Sequence, residues 1–415
     1  MDRSQTITVE KLVHGGQALG VLSDGRRVFV WNALPGETVE ARIVKSKKDY
    51  AEAIAETIVA GSPERVEPRE ANYLATSPWQ IVSFDAENKY KKQIVAEIFS
   101  REHIMLDDFT FTAPDSEWHY RNKMEYSFWG DDDGLHLALH QRGSHGKQIV
   151  TGSELAMPAI DDGTNALLAE LRKYEVRAGD LKSVVVRCDQ QGNTVASLFT
   201  KRDEFIQLAL PTELKGLRVY HSNPKSPASV PTRLLYELGD MHLHDTLLNQ
   251  VFTYDVDSFF QVNVPIFETV LSLINSHVSG ESVIDMYGGV GSIGLSVSAN
   301  PVIVELDEAT VAMAKENAAG TQATVVHAST EKALEYITQE KILIVDPPRA
   351  GLHKDVVAKI LEVEPKKVIY LSCNPATQAR DIDLLQEKYS ITSFEGFNFF
   401  PHTPHIETLA ILQRK

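Results

Sequence analysis

The first sixty residues alternate apolar and polar positions in short runs: Thr6–Val9, Arg27–Val30, Glu37–Val44 and Ala51–Ile58. Glycine-bearing turns at His14–Gly16, Asp24–Gly25 and Leu34–Glu37 separate them. Period-two alternation sends every second side chain to one face, so such runs with such turns predict a small closed β-barrel. Gly61–Pro68 is polar, holds prolines at 63 and 68, and reads as a linker. The period then changes. Tyr90, Ile94, Val95, Ile98 and Phe99 recur at helical spacing behind Asp85 or Asn88, which predicts a helix over 85–103. Strands return over 118–150 around a tight turn at Asp131–Gly134, followed by a helix at 159–174 and strands at 182–188, 193–200 and 217–221. This is an α+β region of mixed sheet.

From about residue 251 the pattern changes again. Apolar runs Ser282–Met286, Val302–Glu305, Thr324–His327, Ile342–Val345 and Lys367–Ser372 alternate with helical stretches at 265–278, 292–299, 308–318, 353–362 and 376–388. Alternation of this kind predicts an α/β, Rossmann-like, doubly wound parallel sheet. The expected division is a barrel over 1–62, a central α+β region over 63–250 and a catalytic α/β domain over 251–415. Helix 85–103 is expected to pack on the last of these.

Composition narrows the class. Of 415 residues, 43% are hydrophobic and 24% charged, ordinary globular values that argue against long disorder. No apolar run approaches the ~18 residues of a membrane span, and the start MDRSQTITVE lacks a signal-peptide pattern. Two cysteines, Cys188 and Cys373, make neither a disulfide scaffold nor, alone, the ligand set of an iron–sulfur cluster. The expectation is a reduced, cytoplasmic, monomeric protein. The net charge is −16, which argues against a surface that wraps nucleic acid throughout. The excess acid is unevenly spread: residues 1–60 are neutral, 61–250 carry −7 and 251–415 carry −9. Arg42, Lys45, Lys47 and Lys48 form a basic cluster in the neutral part, the expected source of affinity for RNA.

The chemistry-bearing residues follow the predicted strands. Val283-Ile-Asp285-Met-Tyr287 runs into Gly288-Gly-Val-Gly291-Ser292-Ile-Gly294, a strand that turns tightly through glycines into a helix. Gly289–Gly294 fits a dinucleotide fingerprint. Asp-x-x-x-Gly-x-Gly resembles instead the first motif of S-adenosylmethionine (SAM) methyltransferases, in which the acidic residue at the strand end meets the cofactor's ammonium group. Glu305 ends the second strand, suited to ribose hydroxyls in either nucleotide class. The fourth strand ends in Asp346-Pro-Pro-Arg349, and the fifth delivers Cys373 into a turn before a helix, whose start is expected to lower the thiol pKa. His402, His405 and Glu407 are poor candidates for metal ligands beside two prolines and without an HExxH helix; Glu407 reads better as a base near Cys373.

At this point a family resemblance is specific. FFQVN at 259–263, DMYGGVGSIGL at 285–295, DPPRAGL at 346–352, SCNPATQARD at 372–381 and PHTPHIET at 401–408 resemble, in order, the motifs of RNA uracil-C5 methyltransferases. Residues 5–60 resemble the TRAM domain, an OB-like RNA-binding barrel, and Tyr120-Arg-Asn-Lys123 resembles the entry to the family's central domain. The resemblance implies that Cys373 is the nucleophile and Glu407 the base. It implies that Gln261, Tyr287, Ser292, Glu305 and Asp346 contact SAM, with Phe260 and Asn374 as uracil contacts. The implied partner is structured RNA, ribosomal RNA ahead of transfer RNA. Many TRAM-bearing members hold an iron–sulfur cluster after the barrel. Residues 61–187 contain no cysteine, so no cluster is expected, and packing around Tyr73 and Trp79 should hold that loop instead. Gly288 stands where many members have cysteine.

Two readings from other classes compete. An NAD-dependent oxidoreductase would explain only the glycine turn and would leave Cys373 and Asp346–Arg349 idle. A non-catalytic RNA-binding protein would keep the barrel without needing all five motifs. Enzymes methylating exocyclic amines place an aromatic residue after Asp-Pro-Pro, where this chain has Arg349.

Overall fold

The computed structural model describes residues 4–106, 108–144, 146–227 and 229–415. The chain start and the first three residues of the expected barrel span lie outside the described residues. Strands β1 (Ser4–Leu12), β2 (Ala18–Val21), β3 (Arg27–Trp31), β4 (Thr38–Ser46) and β5 (Tyr50–Ala60) close a barrel in the order β1-β2-β3-β5-β4. The alternation does the work: Ile7, Val9, Val28 and Val30 point inward and are buried, while their neighbours face out. Strand β2, four residues long, carries too little alternation to be read from sequence.

The expected linker is tied down. Buried Glu37 accepts two bonds from Arg65 (2.6 and 2.8 Å) and one each from the Ser62 and Leu34 amides. After the short helix α1 (Tyr73–Thr76), Trp79 is 1% exposed and donates its Nε1–H to the Gly16 carbonyl (2.9 Å). Tyr73 donates to Asn32 of the barrel at 2.9 Å. Packing and hydrogen bonds thus hold this loop, around the two residues named from the sequence.

Helix α2 (Phe84–Arg101) and strand β6 (Thr110–Thr112) come next. A seven-stranded sheet then forms from β7 (Lys123–Asp131), β8 (Gly134–His140), β9 (Lys147–Val150), β10 (Leu181–Cys188), β11 (Thr194–Thr200), β12 (Gly216–His221) and β13 (Arg233–Gly239). Its order is β13-β12-β11-β10-β7-β8-β9, and α3 (Pro158–Lys173) covers one face with Ile160, Leu167, Leu168 and Leu171. A hairpin of β14 (Leu243–Leu247) and β15 (Gln250–Tyr254) leads to α4 (Val264–Val278).

The C-terminal part contains β16 (Val283–Met286), α5 (Ser292–Val297), β17 (Val302–Glu305), α6 (Glu308–Asn317), β18 (Thr324–His327), β19 (Ile342–Val345), α7 (Lys354–Val363), β20 (Lys367–Ser372), α8 (Pro375–Leu385), β21 (Tyr389–Phe397) and β22 (Glu407–Arg414). The sheet order is β18-β17-β16-β19-β20-β22-β21-β6. The five predicted strands are parallel, and all but the edge strand β18 are largely buried, hence their apolar runs. The sheet is not parallel throughout. β22 inserts antiparallel between β20 and β21; of these, β21 and β22 are absent from the sequence reading.

The expected boundary at 250 is also crossed. β6 pairs with β21, and α2 packs against α8, so residues 84–112 belong to the C-terminal sheet and its cover. One apolar cluster runs from the barrel through α2 to that face of the sheet. No helix among the described residues is long and apolar enough to cross a membrane.

Candidate functional site

Open α/β sheets bind ligands where the strand order reverses, outside the carboxyl ends of the strands. Here β16 lies between β17 and β19, and the motif residues follow those strand ends. A cavity of about 1080 Å³ opens there, with Gln261, Tyr287, Glu305, Asp346, Cys373 and Glu407 in its wall. Six of the seven residues expected to act are therefore brought together from six separate stretches of chain.

Strand register brings Cys373 and Glu407 together. β20 and β22 run antiparallel with Ser372 opposite Thr408. The next residue out on one strand is Cys373, and on the other Glu407. Partners across an antiparallel ladder lie about 5 Å apart at Cα, so thiol and carboxyl face one site. Asp346 follows β19, which pairs with β20 on the other side. Arg349, from the same turn, comes within 3.4 Å of His405 Nδ1.

The electrostatics are those of a dry, acidic floor. Burial raises the Cys373 thiol to about 12, with further upward pushes from Glu407 and Asp346 that Arg349 only partly opposes. This corrects the expectation of a thiol activated by a helix start: in the free protein the two carboxyls and desolvation outweigh it. Burial, then the nearby Asp346, raise Glu407 well above the usual carboxylate range. Asp346 rises to about 7 through burial and repulsion from Asp285. His405 falls to about 4, from burial and then the charges of Arg349, Lys91, Arg121 and Arg142.

The glycine turn shapes the opposite wall. Tyr287 (φ 65°), Gly289 (φ 56°) and Gly291 (φ 87°) all adopt left-handed backbone. A Cβ at Gly288 would lie 2.5 Å from Ile303 Cγ2, so this glycine lets the turn sit directly on β17. Glu305 accepts from the Gly289 amide at 3.0 Å and from the Leu306 and Asp307 amides, which holds its carboxylate at the cavity edge. Asp285 lies outside the cavity wall: Oδ2 accepts from the Gly294 amide at 2.8 Å, and burial raises its carboxyl to about 7. It braces the turn from beneath, while its Oδ1 is buried without a partner among the described residues. Ser292, the remaining expected SAM contact, starts α5 behind the turn and is absent from the cavity wall.

Of the two residues named for uracil, Phe260 lines the cavity but is buried and stacked on Tyr254 at 4.1 Å. Asn374 is occupied elsewhere, capping α8 and donating to the Arg349 carbonyl at 2.8 Å. Phe259 is the aromatic that reaches the mouth, 60% exposed. Sequence reasoning missed it because FFQVN does not reveal which phenylalanine points inward. Arg121 and His405 in the wall were also missed, and their signal was the motif positions themselves. The basic cluster at 42–48 is partly spent within the barrel, where Arg42 pairs with Glu56 and Lys45 with Glu52, each at 2.6 Å.

Loop 398–407, which carries His405 and Glu407, is gripped by α2. Lys91 and Glu87 form a fully buried pair at 2.7 Å. Lys91 also donates to Asn398 Oδ1 (2.7 Å) and the Phe400 carbonyl (3.1 Å), and Glu87 accepts from the His402 amide at 2.9 Å. Trp79 N–H donates to the His402 carbonyl at 3.1 Å.

Residues 330–415 match the family model for tRNA (uracil-5-)-methyltransferase, and residues 3–55 match the TRAM domain. The chain is 31% identical to an uncharacterized RNA methyltransferase of Listeria innocua, with 100% of this chain and 98% of that protein covered. It is 29% identical to another from Enterococcus faecalis, over 99% and 98%. The fold is similar to the crystal structure of Pyrococcus abyssi tRNA (uracil-54, C5)-methyltransferase in complex with S-adenosyl-L-homocysteine. That match has a TM-score of 0.80 at 22% identity and covers 98% of this chain and 100% of that one.

Proposed function

Because the chain belongs to the family of RNA methyltransferases, of the uracil-C5 type, we propose that it methylates C5 of a uridine in structured RNA, ribosomal RNA ahead of transfer RNA, using Cys373 and Glu407. The observation that carries this is the cross-strand placement of a thiol and a carboxyl at one cavity. SAM is the methyl donor for this family, and the cavity suits it. Glu305 offers carboxylate oxygens for the ribose, while Gln261, Tyr287 and Asp346 bound the space next to Cys373. When bound there, SAM supplies an electrophilic methyl group to the pyrimidine carbon.

The chain's own residues perform the rest. Uracil C5 is a weak nucleophile, and addition of the Cys373 thiolate to C6 gives it enolate character. After the methyl group is accepted, C5 carries both methyl and proton. Glu407, made more basic by burial and Asp346, removes that proton. The electron pair of the C5–H bond expels the Cys373 sulfur and restores the ring. A target base must leave its stack to enter, and exposed Phe259 offers an aromatic surface at the mouth.

The test uses purified variants with RNA and labelled SAM. Cys373→Ala should transfer no methyl group; transfer at the normal rate removes the nucleophile assignment. Glu407→Gln should accumulate a covalent protein–RNA adduct that survives denaturing gels. Free turnover by that variant removes Glu407 from the reaction. Mapping 5-methyluridine in RNA from cells lacking the protein separates ribosomal from transfer RNA.

A further inference from the structure

The cavity accounts for one nucleotide, yet cations without carboxylate partners extend past its mouth towards the barrel. The path can be traced contact by contact. His405 lies in the cavity wall and follows Pro404. Pro404 packs on the β1–β2 turn so closely that a Cβ on Gly16 would lie 2.4 Å from Pro404 Cβ. The same Cβ would lie 3.2 Å from the Trp31 ring, so turn, proline and tryptophan are in mutual contact. Over Trp31 stacks Arg142, from the loop between β8 and β9, its guanidinium carbon 3.9 Å from the ring centroid. Arg142 Nε donates to the Leu74 carbonyl at 2.7 Å, which fixes the fork and leaves its other N–H groups to serve a ligand.

Three guanidiniums therefore flank this line: Arg349 and Arg121 at the mouth and Arg142 at the barrel end. None of them forms an ion pair among the described residues, and Arg121 Nε is buried without a partner. In a chain of net charge −16 this is a concentration of unneutralised cation, drawn from the catalytic turn, the entry to the central sheet and the barrel junction. On the same barrel turn, desolvation and then the Arg349 charge lower the imidazole pKa of His14. Guanidiniums match phosphate oxygens in geometry, and one held flat on an aromatic ring loses little freedom on binding.

We propose that this junction is a backbone clamp for RNA, in which Arg142, held on Trp31, binds a phosphodiester flanking the nucleotide that enters the cavity. It rests on the reading that the cavity takes a nucleotide of RNA, and it assigns the barrel's share of binding to the Gly16–Trp31 edge in place of the 42–48 cluster. The clamp joins three parts of the fold that would otherwise meet the RNA independently.

The experiment is binding of a fluorescein-labelled twenty-nucleotide oligouridylate to the full chain by anisotropy, from 50 to 300 mM KCl. Loss of one phosphate contact to a single strand should lower the slope of log K against log salt by about 0.7, about fivefold in affinity at 0.1 M. Arg142→Met should show that loss, Arg142→Lys should keep the slope, and both should bind S-adenosylhomocysteine as the wild type does by calorimetry. An unchanged slope in Arg142→Met overturns the proposal. So does an equal loss in Arg142→Lys, or a parallel loss of S-adenosylhomocysteine affinity, since each marks a packing role. The readout needs no methyl transfer, so a protein that binds RNA through Arg142 but never methylates it refutes the catalytic reading alone.

Discussion

The resting state of Cys373 gives the sharpest check on the electrostatics. With the thiol at about 12, the thiolate fraction at pH 7.5 is about 4.5 log units below full ionisation. An ordinary cysteine near 8.5 is about one log unit below. The more basic thiolate is intrinsically more nucleophilic, with a Brønsted slope of about 0.4–0.5, which returns roughly 1.5 log units. Alkylation of the free protein by iodoacetamide at pH 7.5 should therefore be about a hundredfold slower than that of a cysteine peptide. The rate should also climb tenfold per pH unit to at least pH 10, where the peptide has levelled off. Cys188 is fully buried and should contribute nothing, which Cys373→Ala verifies. Glu407→Gln removes one upward push on the thiol and should speed alkylation on the alkaline side, where Glu407 would be ionised. A rate that matches the peptide and levels off near pH 8.5 would refute the reasoning, because it would mean that two carboxyls and burial leave the thiol unperturbed.

Lys91→Met strands the Glu87 carboxylate in a fully buried place and should cost ~3–5 kcal/mol, read as a fall in thermal midpoint and a lost grip on loop 398–407. The double variant Lys91→Met with Glu87→Leu should regain part of that stability. Asp285 and Asp346 have folded-state pKa values raised to about 7, so the stability they confer is complete below pH ~4 and is lost as pH rises through 7. The thermal midpoint should accordingly drop between pH 5 and 8, and Asp285→Asn should flatten that dependence. Protein purified without oxygen should contain far less than one iron per chain by elemental analysis; stoichiometric iron would contradict the expectation from the missing cysteines.

The sequence was informative where one physical rule governs each position. Strands Val302–Glu305 and Ile342–Val345 were read to the residue because burial in the sheet demands apolar runs, and Thr324–His327 because the β-α-β spacing calls for a strand there. The reading lost β21, whose apolar positions are diluted by Ser390, Thr392 and Glu395, and β22, whose buried run Leu409–Leu412 it left unassigned. That loss hid the reason Cys373 and Glu407 meet, a ladder register between segments 34 residues apart that no local pattern reports. Individual orientations were equally hidden. Phe259 and Phe260 are neighbours of one type, and only the stacking of Phe260 on Tyr254 decides which is exposed. Ser292 and Asn374 sat in the right motifs, yet helix starts claimed them. The thiol's raised pKa required knowing that Asp346 and Glu407 share its cavity.

The three-residue strand β6 has a consequence for how the protein can be divided. It covers the outer edge of β21, and α2, which precedes it, covers the apolar surface of α8. A gene fragment cut at residue 251 would retain Cys373, Glu407 and most of the cavity wall and would still fold poorly. It would present β21 as an open edge, ready to pair with another copy, beside an uncovered apolar face. Such a fragment should precipitate, whereas one beginning near residue 61 should remain in solution. Any ancestral catalytic unit that stood alone would have needed its own substitute for residues 84–112. Domain exchange in this architecture is therefore restricted to the barrel end, and chimeras designed there have the better prospect of folding.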